Sequence, residues 1–133
     1  TSLNQATQTA KSISDNIQKA ELLIELSSFY SKLNNRTKIR ELLALATQSI
    51  KKITSETERL HLFERLIIQY ANSGYRIKAI YLIKTLNSPY TRALLLAKLP
   101  LPANNLPKDS YNEHKILVQM ARKTNYGKTK IIY

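Results

Sequence analysis

The chain has 133 residues and a formal charge of +12, which comes from 21 Lys and Arg against 9 Asp and Glu. Hydrophobic residues make up 43% of it, a share typical of a folded protein and not of a disordered tail. The absence of cysteine excludes disulfides and thiolate metal sites, and two glycines are too few for a sheet-rich fold or a Gly-rich phosphate loop. No apolar run approaches the roughly 20 residues that a transmembrane helix needs. We therefore expect one all-α domain.

The positive charge is concentrated in the second half of the chain. Residues 1–66 contain ten Lys or Arg and seven Asp or Glu, whereas residues 67–133 contain eleven and two. Seven of the eight tyrosines also lie in the second half. This half is where we expect an anionic partner to bind. The alternative is that the excess of Lys and Arg only keeps the protein soluble.

The sequence repeats itself at a spacing of 40 residues. The segment ATQTAKSI, which begins at Ala6, returns as ATQSIKKI from Ala46, and the register continues without a gap into the following residues. A period of this size is typical of supersecondary units that stack on one another. Because residues 3–13 match residues 43–53, we expect the chain to open within a repeat, either as a segment of a longer array or as a capping helix.

Each copy is predicted to start with a helix A that carries an apolar stripe at helical spacing. The stripe is Leu23, Leu26, Phe29, Tyr30 and Leu33 in the first copy, and Phe63, Leu66, Ile67 and Tyr70 in the second. A polar break follows each stripe, with Asn34 and Asn35 in one copy and Asn72, Ser73 and Gly74 in the other. Such residues leave helical geometry easily, so we expect a short turn after each helix A.

A helix B is predicted after each turn. The first covers about residues 36–53, with inward positions Ile39, Leu42, Leu43, Ala46, Ile50 and Ile53, and either Thr54 or Ser55 caps the helix that follows. The second covers about residues 76–86, with inward positions Ala79, Leu82, Ile83 and Leu86. Tyr81 and Lys84 then lie on the opposite side of this helix, and Lys78 lies on its flank.

The third copy is shorter. Arg92, Leu95 and Leu99 repeat Arg59, Leu62 and Leu66 at a spacing of 33, because Asn87-Ser88-Pro89 ends the second helix B early. We therefore divide the chain into helical repeats at residues 1–99, a proline-containing connector at residues 100–108, and a C-terminal capping helix with a basic tail at residues 109–133. The capping helix is predicted at about residues 110–123, with Asp109 or Ser110 as its N-cap.

The helix A motif LxxxLxxxY occurs as Leu22, Leu26 and Tyr30, and again as Leu62, Leu66 and Tyr70. With the short polar or Gly turn and the segment GYRIKAIYLI from Gly74, it resembles tetratricopeptide-like alpha-solenoid repeats. The period of 40 is longer than the usual unit of about 34 residues, which leaves a HEAT-like variant open. The resemblance implies a short right-handed α-α superhelix (alpha-solenoid) of antiparallel helix pairs, and a scaffold that binds proteins or peptides.

Few residues are candidates for catalysis. His61 and His114 are the only histidines and lie in different segments. Glu64 follows His61 by one turn, but such pairs are common on solvated helix faces. The basic half has only two carboxylates, Asp109 and Glu113. We therefore expect no enzymatic activity, no metal site and no cofactor.

Several basic residues lie near predicted helix N-termini, where the helix dipole disfavours positive charge. They are Lys19, Arg59 and Arg92 in A helices, and Arg36 and Arg76 in B helices. Pairing with Glu21, Glu25, Glu56 or Glu58 is one explanation, and a ladder of arginines that binds an acidic partner is the other. Because no acidic residue lies between Glu64 and Asp109, the later units favour the second explanation. The predicted partner-binding residues are Arg59, Arg76, Lys78, Tyr81, Lys84, Arg92 and Lys98.

These features together predict a non-catalytic interaction module that binds an acidic protein or peptide through a basic, tyrosine-containing surface. The alternative is nucleic-acid binding through the same surface, with Lys and Arg on phosphates and with Tyr75, Tyr81 or Tyr90 stacked on bases. Attachment to an anionic membrane ranks third, because no helix shows the strongly basic amphipathic pattern of an interfacial helix.

Overall fold

The structure is a computed structural model that describes residues 2–100. About 80% of these residues are helical and none is in a strand, which confirms the predicted all-α class. The six helices are α1 (Ser2–Lys11), α2 (Asn16–Lys32), α3 (Arg36–Lys51), α4 (Glu56–Asn72), α5 (Arg76–Lys84) and α6 (Pro89–Lys98). None of these six helices has the length and apolarity needed to cross a bilayer. The predicted connector beyond Pro100 and the predicted C-terminal helix lie outside the described residues.

The chain divides into two compact units, Thr1–Gln69 and Tyr70–Tyr133. In the first unit, α2 packs against both α1 and α3. Its core consists of Ala10, Ala20, Leu23, Ile24, Leu26, Tyr30, Ile39, Leu42, Leu43, Ala46, Ile50, Ile53, Leu62, Leu66 and Ile67. In the second unit α5 packs against α6, and the buried apolar residues described there are Tyr70, Ala71, Ala79, Ile80, Ile83, Leu95 and Leu99.

Four helices begin at a polar side chain that caps the first turn. In each case a side-chain oxygen accepts a hydrogen bond from the backbone N–H three residues later, which satisfies a donor that the helix leaves unpaired. The capping residues are Asp15 for α2, Asn35 for α3, Ser55 for α4 and Ser88 for α6. Of the two predicted caps for α4, Ser55 is therefore the one that accepts.

The same turn leads from α2 into α3 and from α4 into α5. Asn34 and Gly74 stand 40 residues apart, and both have a positive φ, 55° and 90° respectively. In the first turn the carbonyl of Tyr30 accepts from the N–H of Asn35 at 3.1 Å, and the residues 40 positions later repeat this bond at 2.8 Å. Glycine reaches this conformation without a Cβ clash, and asparagine tolerates it better than most residues. The predicted polar breaks are confirmed as turns.

The core of α3 matches its prediction, whereas that of α2 differs at two positions. All six inward residues predicted for α3 are buried, although the helix ends at Lys51 and not at residue 53. Phe29 and Leu33 were expected in the α2 stripe, but they are 44% and 66% exposed. Phe29 lies on the side of the helix that carries exposed Glu25 and Lys32, and Leu33 is the C-cap, where helical spacing no longer applies.

Helix α5 is also shorter than expected. It ends at Lys84, two residues before the predicted end. Ala79, Ile80 and Ile83 form its buried face, while the predicted inward residues Leu82 and Leu86 are only half-buried. The hydroxyl of Thr85 donates to the carbonyl of Leu82 at 2.7 Å, and the backbone N–H of Thr85 donates to the same carbonyl at 3.1 Å, so Thr85 closes the end of the helix.

Candidate functional site

Helix α5 has an apolar face and a basic face. Ala79, Ile80 and Ile83 are buried, and the helix packs against α6 of the same unit. On the other side Lys78 is exposed and the side chain of Tyr81 is 52% exposed. Residues three apart on a helix are neighbours on its surface, so Lys78, Tyr81 and Lys84 form one continuous strip. We call these three residues the α5 face.

The lysine and the tyrosine at the end of the α5 face are in contact. The ammonium nitrogen Nζ of Lys84 lies 5.9 Å from the centre of the Tyr81 ring, a distance at which a cation–π interaction contributes about 0.5–1 kcal/mol at an exposed site. The contact places the charge of Lys84 beside the ring. A ligand that has a negative group next to a planar or apolar group can therefore contact the ammonium and the ring together.

Five cations and no carboxylate occur in residues 70–100. The five are Arg76, Lys78, Lys84, Arg92 and Lys98. No carboxylate of this stretch can therefore neutralise them, and the stretch attracts anions as a whole. Lys98 lies exposed in the last turn of α6, where a positive charge also complements the helix dipole.

The arginines predicted for partner binding donate to main-chain carbonyls of their own unit. Arg92 donates to the carbonyl of Leu86 in the second unit, and Arg59 donates to the carbonyl of Ile53 at 2.9 Å in the first. In both cases the acceptor lies six residues earlier, in the segment just after the preceding helix. Each guanidinium thus satisfies a carbonyl of the segment that connects two helices, which offsets the unfavourable dipole term.

Arg76 also bonds to the main chain. Its guanidinium donates to the carbonyl of Pro100, which follows α6 in sequence. Within the second unit this bond ties the start of α5 to the segment after α6. Of the seven predicted partner-binding residues, Arg59, Arg76 and Arg92 therefore have structural bonds. Lys78, Tyr81 and Lys98 are exposed, and Lys84 is half-buried beside Tyr81.

The other tyrosines considered for base stacking differ in exposure. Tyr90 is 77% exposed near the start of α6. Tyr75 is half-buried, and its ring packs edge-on against that of Tyr70, with centroids 6.3 Å apart and an angle of 89° between the planes. Such an edge-to-face pair is a stable packing arrangement, so the Tyr75 ring is partly occupied.

Two carboxylates of the first unit form ion pairs within the chain. Glu41 on α3 bonds to Nζ of Lys11 at 2.7 Å and to Nζ of Lys38 at 3.3 Å. The hydrogen bond from Lys11 is the main cause that lowers the pKa of Glu41 below its ordinary value, and Lys38 adds to the effect. Arg65 lies 3.6 Å from Glu21 in a third ion pair. Glu21 is among the pairing residues predicted from the sequence, whereas Glu41 is not. The signal for Glu41 was its position three residues after Lys38, which makes the two side chains neighbours on a helix.

The region around His61 is a shallow depression along α4. Glu56, Thr57, Leu60, His61 and Glu64 line it. Within the described part of the chain, no three His, Cys, Asp or Glu side chains converge in a way that could hold a metal ion. His114, the other histidine that the sequence offered, lies outside the described residues.

Comparisons of the chain with protein-family models, with curated proteins and with solved structures found no match. The likeness to tetratricopeptide-like or HEAT-like repeats therefore depends on the motif residues and on the helix pattern alone.

Proposed function

We propose that this chain is a non-catalytic helical-repeat interaction module that binds an acidic protein or peptide through the α5 face. One observation carries the proposal: exposed Lys78 and Tyr81 and half-buried Lys84 form a continuous strip in a stretch that has five cations and no carboxylate. Arg76, Arg92 and Lys98 add positive potential to the second unit, which contains the α5 face, and Arg59 adds it to the first unit. Complementary charge favours encounter with an acidic segment, and the Tyr81 ring offers it an apolar contact.

The helical-repeat part of the proposal is supported by the equal lengths of α2 and α4. Both have 17 residues and start 40 positions apart, and three backbone hydrogen bonds of the turn after α2 recur in the turn after α4. We interpret the chain as a short right-handed alpha-solenoid of antiparallel helix pairs, either tetratricopeptide-like or HEAT-like. Stacked arrays of this type bind partners through extended surfaces.

The test is a fluorescence-anisotropy titration with a fluorescein-labelled oligoglutamate peptide. We expect the wild-type protein to bind it at low salt, and the double substitution Lys78→Glu and Lys84→Glu to weaken binding by about tenfold or more, because two attractions become repulsions. Arg76 is left unchanged, since its bond to the Pro100 carbonyl makes its reversal a structural change as well.

A matched control reverses two charges of the first unit. Arg40 and Lys52 are both exposed on or next to α3, and Lys52, like Lys84, lies at a helix C-terminal end. We expect Arg40→Glu with Lys52→Glu to retain at least about half of the wild-type affinity, because neither residue belongs to the α5 face and so neither contacts the peptide directly. Equal loss in both double variants, or no binding by the wild type, would contradict the α5 face as the binding surface.

A second titration separates the acidic-peptide proposal from nucleic-acid binding. Single-stranded oligonucleotide is added under the same conditions, because Tyr81 beside Lys84 is also the kind of pair on which a base stacks. Tighter binding of the oligonucleotide than of the peptide, with a steep loss as salt rises, would favour the nucleic-acid alternative. Binding of the peptide alone supports the proposal.

A further inference from the structure

Helices α3 and α5 occupy equivalent places in the repeat, but only α3 has a carboxylate beside the lysine in its first turn. Helix α3 begins at Arg36 and α5 begins at Arg76, so their residues correspond at a spacing of 40. Lys38 and Lys78 are therefore the third residue of each helix. In α3 the residue three positions later is Glu41, and its carboxylate lies 3.3 Å from Nζ of Lys38. In α5 that position is Tyr81.

We infer that Lys78 binds a carboxylate supplied by the partner, in the place that the Glu41 carboxylate takes beside Lys38. This inference rests on the proposed function and deepens it, because it names both the group that is recognised and the lysine that recognises it. A lysine at this helix position can hold a carboxylate three residues further along with ordinary geometry, as Lys38 does. Helix α5 has no aspartate or glutamate of its own to fill that place.

The residue that replaces the glutamate suits such a ligand. The Tyr81 ring is 52% exposed and has the Lys84 ammonium 5.9 Å from its centre. An incoming aspartate or glutamate side chain would have its carboxylate between two ammonium groups and its methylene groups on the ring. A carboxylate between two lysines has a counterpart in the first unit, where Glu41 bonds to both Lys11 and Lys38. The inferred partner is therefore a peptide segment with aspartate or glutamate side chains.

The first experiment restores the missing carboxylate within the chain. Tyr81→Glu places an acceptor three residues after Lys78, as in α3, and so should compete with the peptide. We expect its affinity for oligoglutamate to be about fivefold or more below that of Tyr81→Gln, which removes the ring without adding charge. Ala97→Glu is the matched control, because it adds the same charge at an exposed position of α6 with no lysine three or four residues away. It should bind as the wild type does, within about twofold.

The second experiment transfers the site to α3. Ala44 is exposed and corresponds to Lys84, so Glu41→Tyr together with Ala44→Lys gives α3 the same spacing of lysine, tyrosine and lysine. We expect the number of oligoglutamate peptides bound per chain to rise from one to two, as measured by isothermal titration calorimetry. Circular dichroism of every variant verifies that the helices are retained.

The outcomes separate the inference from the function on which it rests. If the wild type does not bind oligoglutamate, the proposed function itself is wrong. If the wild type binds but Tyr81→Glu behaves as Tyr81→Gln and the transfer adds no site, the inference is overturned while acidic-peptide binding stands. Equal losses in Tyr81→Glu and Ala97→Glu would likewise overturn it, because they would show that net charge alone decides affinity.

Discussion

At the residue scale, the best-defined electrostatic interaction is that of Glu41 with two lysines. Lys11 comes from α1 and Lys38 from α3 itself, so the carboxylate links two helices as well as two neighbours on one helix. The Glu41 side chain is 37% exposed, and solvent therefore screens the interaction. Surface pairs of this kind contribute at most about 1 kcal/mol to stability.

We predict that Glu41→Gln lowers the free energy of unfolding at neutral pH by up to about 1 kcal/mol. Because folding lowers the pKa of Glu41, its contribution is present above the unfolded-state pKa and is lost as the pH falls through the folded-state pKa. The difference between wild type and variant should therefore shrink in acid. Urea unfolding followed by circular dichroism at pH 7 and at about pH 3 measures it.

Glu25→Gln is the control for this prediction. Glu25 is exposed on α2, and its loss should change stability by less than about 0.5 kcal/mol at either pH. A Glu41 effect that stays the same size at acid pH would mean that the side chain stabilises the fold by packing and not by charge.

Single residues also show what the sequence could and could not predict. Leu26 and Tyr30 were predicted inside the core from helical spacing alone, and both are buried. The same helical spacing predicted Phe29 there, but Phe29 lies on the side of α2 where its neighbours Glu25 and Lys32 are exposed to solvent. Lys32 lies 5.6 Å from the Phe29 ring centre, a contact that partly covers the exposed ring.

At the element scale, the turns that follow α2 and α4 each require one residue in the left-handed backbone conformation, with a positive φ. Asn34 and Gly74 provide it, and the hydrogen bonds on either side return the chain to helical geometry. The sequence predicted these turns because Asn and Gly are residue types that adopt such geometry. The ends of the B helices carried no comparable signal, which explains why both helices end two residues earlier than predicted.

We predict that Gly74→Ala destabilises the protein by about 1 kcal/mol or more, because a Cβ clashes with the backbone at positive φ. Gly74→Asn should cost less, since Asn34 occupies the equivalent position. The reciprocal change Asn34→Gly should stay within about 0.5 kcal/mol of wild type. Urea unfolding of the three variants gives the order, and a cost for Gly74→Asn as large as that for Gly74→Ala would contradict it.

The arginine bonds could not be predicted from sequence, although the arginines themselves were singled out. Arg59 and Arg92 were recognised as unfavourably placed near helix starts, and carboxylates were considered as their partners. Their observed acceptors are the main-chain carbonyls of Ile53 and Leu86. Every residue has a carbonyl, so no residue type marks the acceptor, and only the path of the chain between two helices brings it within reach.

At the scale of the whole molecule, charge is divided unequally along the chain. The described part of the second unit has five cations without a carboxylate, whereas the first unit combines its cations with seven carboxylates. The sequence established this asymmetry completely, because it depends on composition and not on geometry. An acidic partner should therefore respond mainly to the second unit, and its affinity should depend on ionic strength.

The final prediction concerns that dependence. Between about 0.01 M and about 0.15 M salt the Debye length falls from about 30 Å to about 8 Å, so attraction from charges beyond the immediate contact is screened. We expect the affinity for oligoglutamate to fall over this range, and the fall to be shallower for Lys78→Gln than for the wild type, because one contacting charge is missing. Arg40→Gln in the first unit removes the same charge and should leave the salt dependence unchanged. Anisotropy titrations at four salt concentrations measure the three slopes. A slope that changes equally in both variants would mean that the peptide responds to the total charge of the chain, in which case the α5 face would have no special part in binding.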